Sequence, residues 1–351
     1  MPENRKKGIF NLNLSPIAKR RIAAFSRNKR AKYSLIIFLC LFVVSLLAEL
    51  IANDKPLIIK YNGNWYFPIV RTYDDLTFGG DFPTPADYKD HYTLNNIKNN
   101  GWLLMPIIPF SFNTVDYDLD KPTPAAPSAE HWLGTDDEGR DIVARIIYGF
   151  RLSVVFAFLL TAISSVIGVI AGAVQGYFGG KIDIVFQRFL EIWESLPQLF
   201  ILIIVASIFV PTFWTLLLIL ICFSWISLTS LVRAEFLRVR NMEFVKAAAA
   251  MGAGDLRIMF KHILPNAVIA TITFVPFLLA EAIVALTALD FLGFGLPHEY
   301  PSLGDLVRQG KDNLQAPWIG ITIFIVLSTL LTLLIFIGEG VRDALDSRKN
   351  K

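Results

Sequence analysis

Residues 244–266 read FVKAAAAMGAGDLRIMFKHILPN, a basic stretch set between two long apolar runs. The alanine run ending at Ala250 favours a helix, and Gly252-Ala253-Gly254 then interrupts it. A second short helix is predicted from about Asp255 to the Leu264-Pro265 step, because a residue before proline is pushed out of the helical region. Met242, Val245, Ala248, Ala249 and Gly252 fall on one small-residue face, a surface shaped to sit closely in a partner's groove. The product is a bent helical arm standing in water between two membrane-embedded segments. The plainer alternative is an amphipathic helix lying on the membrane surface.

Composition supports the membrane setting. The 351 residues are 54% hydrophobic, and the mean hydropathy is +0.50, well above what a soluble domain of this length needs. About 20 apolar residues cross a bilayer. Six segments qualify for consideration, residues 33–52, 153–175, 182–210, 213–232, 267–292 and 318–338. The third is the weakest, since Arg188, Glu191, Glu194 and Pro197 precede its apolar core. Those polar turns must face other helices or water, because lipid does not satisfy them.

Charge sets the expected orientation. Arg5, Lys6, Lys7, Lys19, Arg20, Arg21, Arg27, Lys29, Arg30 and Lys32 precede the first span against Glu3 alone, which places residues 1–32 in the cytoplasm. Residues 53–150 carry eight Lys/Arg and fourteen Asp/Glu, a net of −6, and belong outside. The arm, residues 233–266, and the tail, residues 339–351, return to the cytoplasmic side, so both termini are expected there. The overall net charge of +3 is therefore a topology signal and not a nucleic-acid footprint. The long basic region before the first span, without a small-x-small site after it, reads as an uncleaved signal anchor. Cys40 and Cys222 fall within spans and read as small apolar filler.

The external segment is the sizeable soluble piece. Residues 57–61 and 64–70 are β-rich runs flanking Asn62-Gly63, a strong hairpin signal. Residues 71–100 are polar and punctuated by Gly and Pro. At Thr135-Asp136-Asp137-Glu138 the spacing fits a capping box, which predicts a helix from Asp136 lying along the outer membrane surface. His131 beside Asp136 and Asp137 lacks a second His or Cys nearby, so a cap with surface carboxylates is favoured over a metal site.

Three stretches carry a resemblance to a family. The arm is similar to the loop of ABC-transporter permeases that meets the ATPase, with Ala247, Ala248, Gly252, His262 and Pro265 in place. HWLGTDDEGRDIVARIIYGFRLS, residues 131–153, resembles the stretch before the second span of C-type permease subunits in dipeptide and oligopeptide importers; it holds Gly134, Thr135, Asp136, Gly139, Arg140 and Asp141. DFLGFGLP, residues 290–297, is the third match. The details ANDKPLIIKYNGNWYFP, NNGWLL and NLQAPWIGI look most like the Yej-type branch.

The resemblance implies an all-α polytopic fold with six transmembrane helices and a periplasmic insertion, in a bacterial inner membrane. It implies ATPase coupling through Lys246, Ala247, Ala248, Gly252, Ala253, Gly254, Asp255, His262 and Pro265. The family often has Glu where this chain has Lys246, which removes one possible salt bridge to the ATPase. The implied partners are a homologous permease subunit, ATPase subunits that bind ATP and Mg, a periplasmic peptide-binding protein and membrane lipid. The implied cargo is peptides, including peptide-nucleotides of the microcin C kind, with another small solute such as nickel as the alternative within the family.

No nucleotide chemistry is legible. Gly180-Lys181 lacks both the upstream Gly and the following Ser/Thr of a P-loop. Charges inside spans are candidate functional groups: Glu281, five residues beyond Pro276, for a translocation path or an interhelical hydrogen bond; Asp290 for the outer mouth or a local cap; Glu49 near water. A channel or ion-coupled transporter is disfavoured, since no matching pair of broken helices is present. A membrane-anchored receptor leaves the arm unexplained.

Overall fold

Side chains of the apolar runs have nowhere to go but each other and lipid, and the fold follows from that. The computed structural model describes residues 16–119 and 121–345; the charges at Glu3, Arg5, Lys6, Lys7, Arg348, Lys349 and Lys351 lie outside the described residues. The chain begins with α1 (Pro16–Arg27), α2 (Lys29–Leu46) and α3 (Ala48–Ile51). Asn28 caps α2 through its side chain. Leu47 separates α2 from α3, so the first expected span is a broken one.

Strands β1 (Ile58–Tyr61) and β2 (Asn64–Tyr66) form the expected hairpin, and both Asn62 and Gly63 take positive φ as a tight primed turn requires. The sheet has a third member that the polar reading of residues 71–100 did not anticipate. Helix α4 (His91–Asn100) leads directly into β3 (Gly101–Leu104), which pairs antiparallel with β1, giving the order β2-β1-β3. A small aromatic core covers one face: Phe78 meets Tyr61, Tyr66, Tyr73 and Tyr88 edge-on.

The membrane bundle comprises α5 (Ile142–Phe178), α6 (Gly180–Glu194), α7 (Gln198–Ile208), α8 (Phe213–Val239), α9 (Glu243–Ala250), α10 (Asp255–Arg257), α11 (Leu264–Phe291), α12 (Leu303–Asp312) and α13 (Pro317–Leu345). Among the described residues, four helical stretches are long and apolar enough to cross a membrane: Ile142–Phe178, Phe213–Val239, Asp255–Phe291 and Pro317–Leu345. The third expected span is divided into α6 and α7 at Ser195-Leu196-Pro197.

The closest helix pair is α5 with α8. Gly168, Gly172 and Gly176 form a small-xxx-small ridge on α5. A Cβ on Gly168 would come 2.7 Å from the Trp225 carbonyl, and one on Gly172 would come 2.6 Å from the Thr229 carbonyl. One on Gly176 would stand 2.5 Å from the Phe236 Cβ. The backbones can approach this far only because those Cβ atoms are missing.

At one end of the bundle α3 packs on the start of α5, where Tyr148 donates to the Ala52 carbonyl at 2.9 Å and Arg151 pairs with Glu49 at 2.7 Å. The external segment sits there. At the other end, α1 and the start of α2 lie against the end of α13; a Cβ on Gly340 would fall 2.1 Å from that of Ala31. The basic run and the arm thus share the end opposite the acidic segment.

Candidate functional site

The arm folds as a rigid elbow. Helix α9 stops in a Schellman arrangement: the Gly252 N–H donates to the Ala249 carbonyl and the Ala253 N–H to the Ala248 carbonyl, with Gly252 at φ +83°. Glycine is needed at 252 for that conformation, whereas Gly254 has ordinary φ. The second helix does not end at Pro265. Residues Ile258–Ile263 form a π-turn that runs straight into α11, with Pro265 in its first turn. The widened turn makes room for a proline ring that would otherwise collide with the carbonyl four residues earlier.

The face expected to meet a partner is turned inward in part. Val245 is buried against Phe236, Val239, Ile258, Met259 and Ile263, and Ala248 is buried as well. Met242, Ala249 and Gly252 remain exposed. Burying that apolar pair is favourable within the chain itself, so those two side chains are not available to a partner. Among the apolar side chains that the arm leaves free are Phe244, Met251, Leu256 and Phe260, exposed at 45, 82, 71 and 61%. Lys246, Ala247, Gly254, Asp255 and Pro265 are also exposed, while Ala253 and His262 are half-buried. Polar ties hold the elbow to α5: Tyr177 donates to Asp255 at 2.6 Å, and Arg240 donates to the Tyr177 carbonyl at 2.9 Å.

The external motif is a buried polar hub, not a surface cap. Thr135 is fully buried and its hydroxyl accepts from the Ala125 N–H at 2.9 Å, so it caps no helix. Gly139 at φ +82° breaks any helix from Asp136, and the N-cap of α5 is Asp141, accepting from the Ala144 N–H at 2.8 Å. Helix α5 then enters the bundle without a separate surface helix. Asp136 is a fully buried carboxylate, 2.7 Å from Arg140 Nε and 2.8 Å from Arg145 Nη1. Arg145 reaches across to Asp305 of α12 at 3.0 Å. Gly134 carries φ +79°, where a Cβ would stand 2.6 Å from the Ala125 carbonyl.

Burial alone pushes the Asp305 carboxyl up, but Arg145, Arg308 and His298 beside it reverse this and hold it below the ordinary carboxylate range. His131 is buried between Asp141 and Asp116, at 2.9 and 3.0 Å from its two ring nitrogens. Desolvation lowers the imidazole pKa, and the hydrogen bonds to Asp141 and Asp116 outweigh it and raise it above the ordinary value. Its carboxylate partners are therefore Asp141 and Asp116, not Asp136 and Asp137. Among the described residues no cluster of His, Cys, Asp and Glu is set to hold a metal ion.

Glu281 and Asp290 lie on α11 but have different surroundings. Asp290 is buried and accepts from the Leu296 N–H at 2.8 Å and from the Ser302 hydroxyl, so it closes the turn after α11. Glu281 lines a cleft of about 260 Å³ walled by α5, α6, the start of α7, α8 and α11, with Thr161, Ser164, Ser165, Glu194, Gln198 and Ser227. Glu194, one of the polar residues that weaken the third expected span, is thus part of the cleft.

Residues 164–351 match the family described as binding-protein-dependent transport system inner membrane component. The chain is 53% identical over 336 residues to the inner membrane ABC transporter permease protein YejE of Escherichia coli, covering 96% of this chain and 98% of that one. It is 48% identical to the peptidoglycan transport system permease protein YejE of Agrobacterium fabrum, over 95% and 94% of the two chains. It is 36% identical to the oligopeptide transport system permease protein OppC of Lactococcus lactis, over 68% and 82%. With its elbow, its polar hub and these likenesses over nearly its whole length, the chain belongs to the binding-protein-dependent inner membrane components, as an ABC transporter permease of the dipeptide and oligopeptide group.

Proposed function

We propose that this chain is a permease subunit of an ATP-driven importer that carries peptides inward across the inner membrane. The observation that carries the reading is mechanical continuity. The elbow exposes the apolar side chains Phe244, Met251, Leu256 and Phe260 over a buried core, and its second limb continues without a stop into α11, which bears Glu281. An ATPase gripping that face moves α9, and the motion passes through the packed core into a wall of the cleft. Partner ATPases bind ATP and Mg; this chain supplies the grip and the wall. A homologous permease completes the path, and a periplasmic binding protein delivers the cargo to the external segment.

The names of the relatives point to oligopeptide and peptidoglycan transport. Peptide-nucleotide conjugates of the microcin C kind are the narrower cargo in this reading. Two packings of the bundle, one open to each side, suffice for alternating access if ATP binding favours one of them. The test is uptake of a labelled tripeptide into cells lacking this chain, with and without the gene restored. Expected is ATP-dependent uptake on restoration, abolished by Phe244→Asp with Phe260→Asp. Uptake that survives both substitutions refutes the coupling role. Single cysteines at Lys246 and Asn62 check orientation: an impermeant reagent is expected to label intact cells at 62 and not at 246.

A further inference from the structure

We infer that the membrane cleft is a recognition station for a primary ammonium group on the cargo, formed by Glu194 and Glu281. The inference rests on the import reading and names the chemical group the path selects. Glu194 ends α6 and Glu281 lies beyond Pro276 in α11, so the two carboxylates reach one cleft from different helices. Among the described residues neither has an ion-pair or hydrogen-bond partner. Two other carboxylates of the bundle are paired, Glu49 with Arg151 and Asp183 with Arg233. Glu194 and Glu281 are exposed, and what sets them apart is that both line the same cleft.

The rest of the wall has the same bias. Thr161 and Ser164 are 5 and 4% exposed, and their hydroxyl oxygens, with that of Ser165, are buried without a partner. A buried hydroxyl left unpaired costs free energy unless something arrives to satisfy it. Among the described residues the cleft has no Lys, Arg or His in its lining. Its surface is acceptor-rich and negative. An ammonium offers three donors and no acceptor, so it complements this wall, whereas a carboxylate or phosphate meets like charge there. A free amino terminus or the side-chain amine of a diamino acid fits.

The test separates the station from the cargo. In membrane vesicles holding the whole transporter, Cys40 and Cys222 are replaced by Ser and Ser227→Cys is introduced as a reporter. Cationic aminoethyl and anionic sulfonatoethyl methanethiosulfonate are then compared, each normalised to a free thiol. The cation-to-anion rate ratio is expected to be raised on the order of tenfold by the two nearby charges. It should fall close to one when Glu194→Gln and Glu281→Gln are combined. A second arm compares uptake of a peptide with a free amino terminus and its N-acetylated form. The free amine is expected to be favoured by about tenfold, with the preference lost in the double variant. A rate ratio near one with both carboxylates intact overturns the station, as does equal uptake of the two peptides. A raised ratio that needs both carboxylates, in vesicles that import neither peptide, supports the charged station and overturns the peptide reading instead.

Discussion

Replacing Arg145 by Met should destabilise the protein more than any other single change in the external hub. The guanidinium is fully buried and supplies one hydrogen bond to Asp136 and one to Asp305, at 2.8 and 3.0 Å. Removing one partner of a buried ion pair costs about 3–5 kcal/mol, because the other charge is stranded. Asp136 keeps Arg140, and Asp305 keeps Arg308 and Gln309, so the lower end, about 3 kcal/mol, applies. For a large domain that corresponds to a drop in melting temperature of roughly 6–12 °C. Membrane proteins aggregate on unfolding, so the assay is the midpoint of heat-induced loss of the monodisperse peak in detergent, at one fixed heating time. Adding Asp136→Asn to Arg145→Met should cost less than the sum of the two single changes, since the stranded charge is then gone. A single variant within about 2 °C of wild type, below even 1 kcal/mol by the same scaling, would falsify the claim that this network holds α12 to α5.

Three further outcomes follow from named geometry. Gly172→Leu should lower the same midpoint by an amount equal to about 1–3 kcal/mol of overpacking, because its Cβ stands 2.6 Å from the Thr229 carbonyl; Ile170→Leu, on the exposed side of the same helix, is the control and should be silent. His131 has a raised pKa in the folded state, so its contribution is complete below about pH 6.5, the ordinary value, and is lost as pH rises through the folded value. Melting midpoints should therefore fall from pH 6 toward pH 8.5, and His131→Gln should flatten that slope; equal slopes refute the assignment. Gly252→Val should impair association with the ATPase in pull-down and reduce uptake, because positive φ costs a side chain about 1–2 kcal/mol, whereas Gly252→Asn should retain both; indistinguishable variants refute the role of the turn.

What was legible in the sequence depended on how local the cause is. Asn62-Gly63 announces its hairpin because two positive φ angles need those residue types in adjacent positions. Gly252 announces the end of α9 for the same reason. Strand β3 was invisible because its partner lies some forty residues earlier in β1, and Gly101 is required there by the Lys60 carbonyl, 1.8 Å from where a Cβ would be. Thr135 matched a cap template and failed it, since the competing bond to Ala125 comes from outside the window. The small-residue stripe of α9 is legible, but whether such a stripe faces its own chain or a partner is a tertiary matter; Val245 and Ala248 are buried in their own chain. Glu281 stood out as a charge in an apolar run. Glu194 did not, because the break at Pro197 that admits it to the cleft was read as a weakness of a span.

The glycine ridge on α5 limits how this bundle can move. With carbonyls of α8 seated against residues 168, 172 and 176, a slide by one or two positions drives a full side chain into backbone. Only a jump of a whole turn, about 5.4 Å, brings small residue back to small residue. The pair therefore works as a toothed rack: locked against gradual shear and able to travel as one plate. Widening of the cleft must then come from its other walls, α6 with the start of α7, and α11, each softened by a proline near its carboxylate: Pro197 between α6 and α7, after Glu194, and Pro276 within α11, before Glu281. The fold keeps a stiff jaw and a compliant one, and both carboxylates ride on the compliant side.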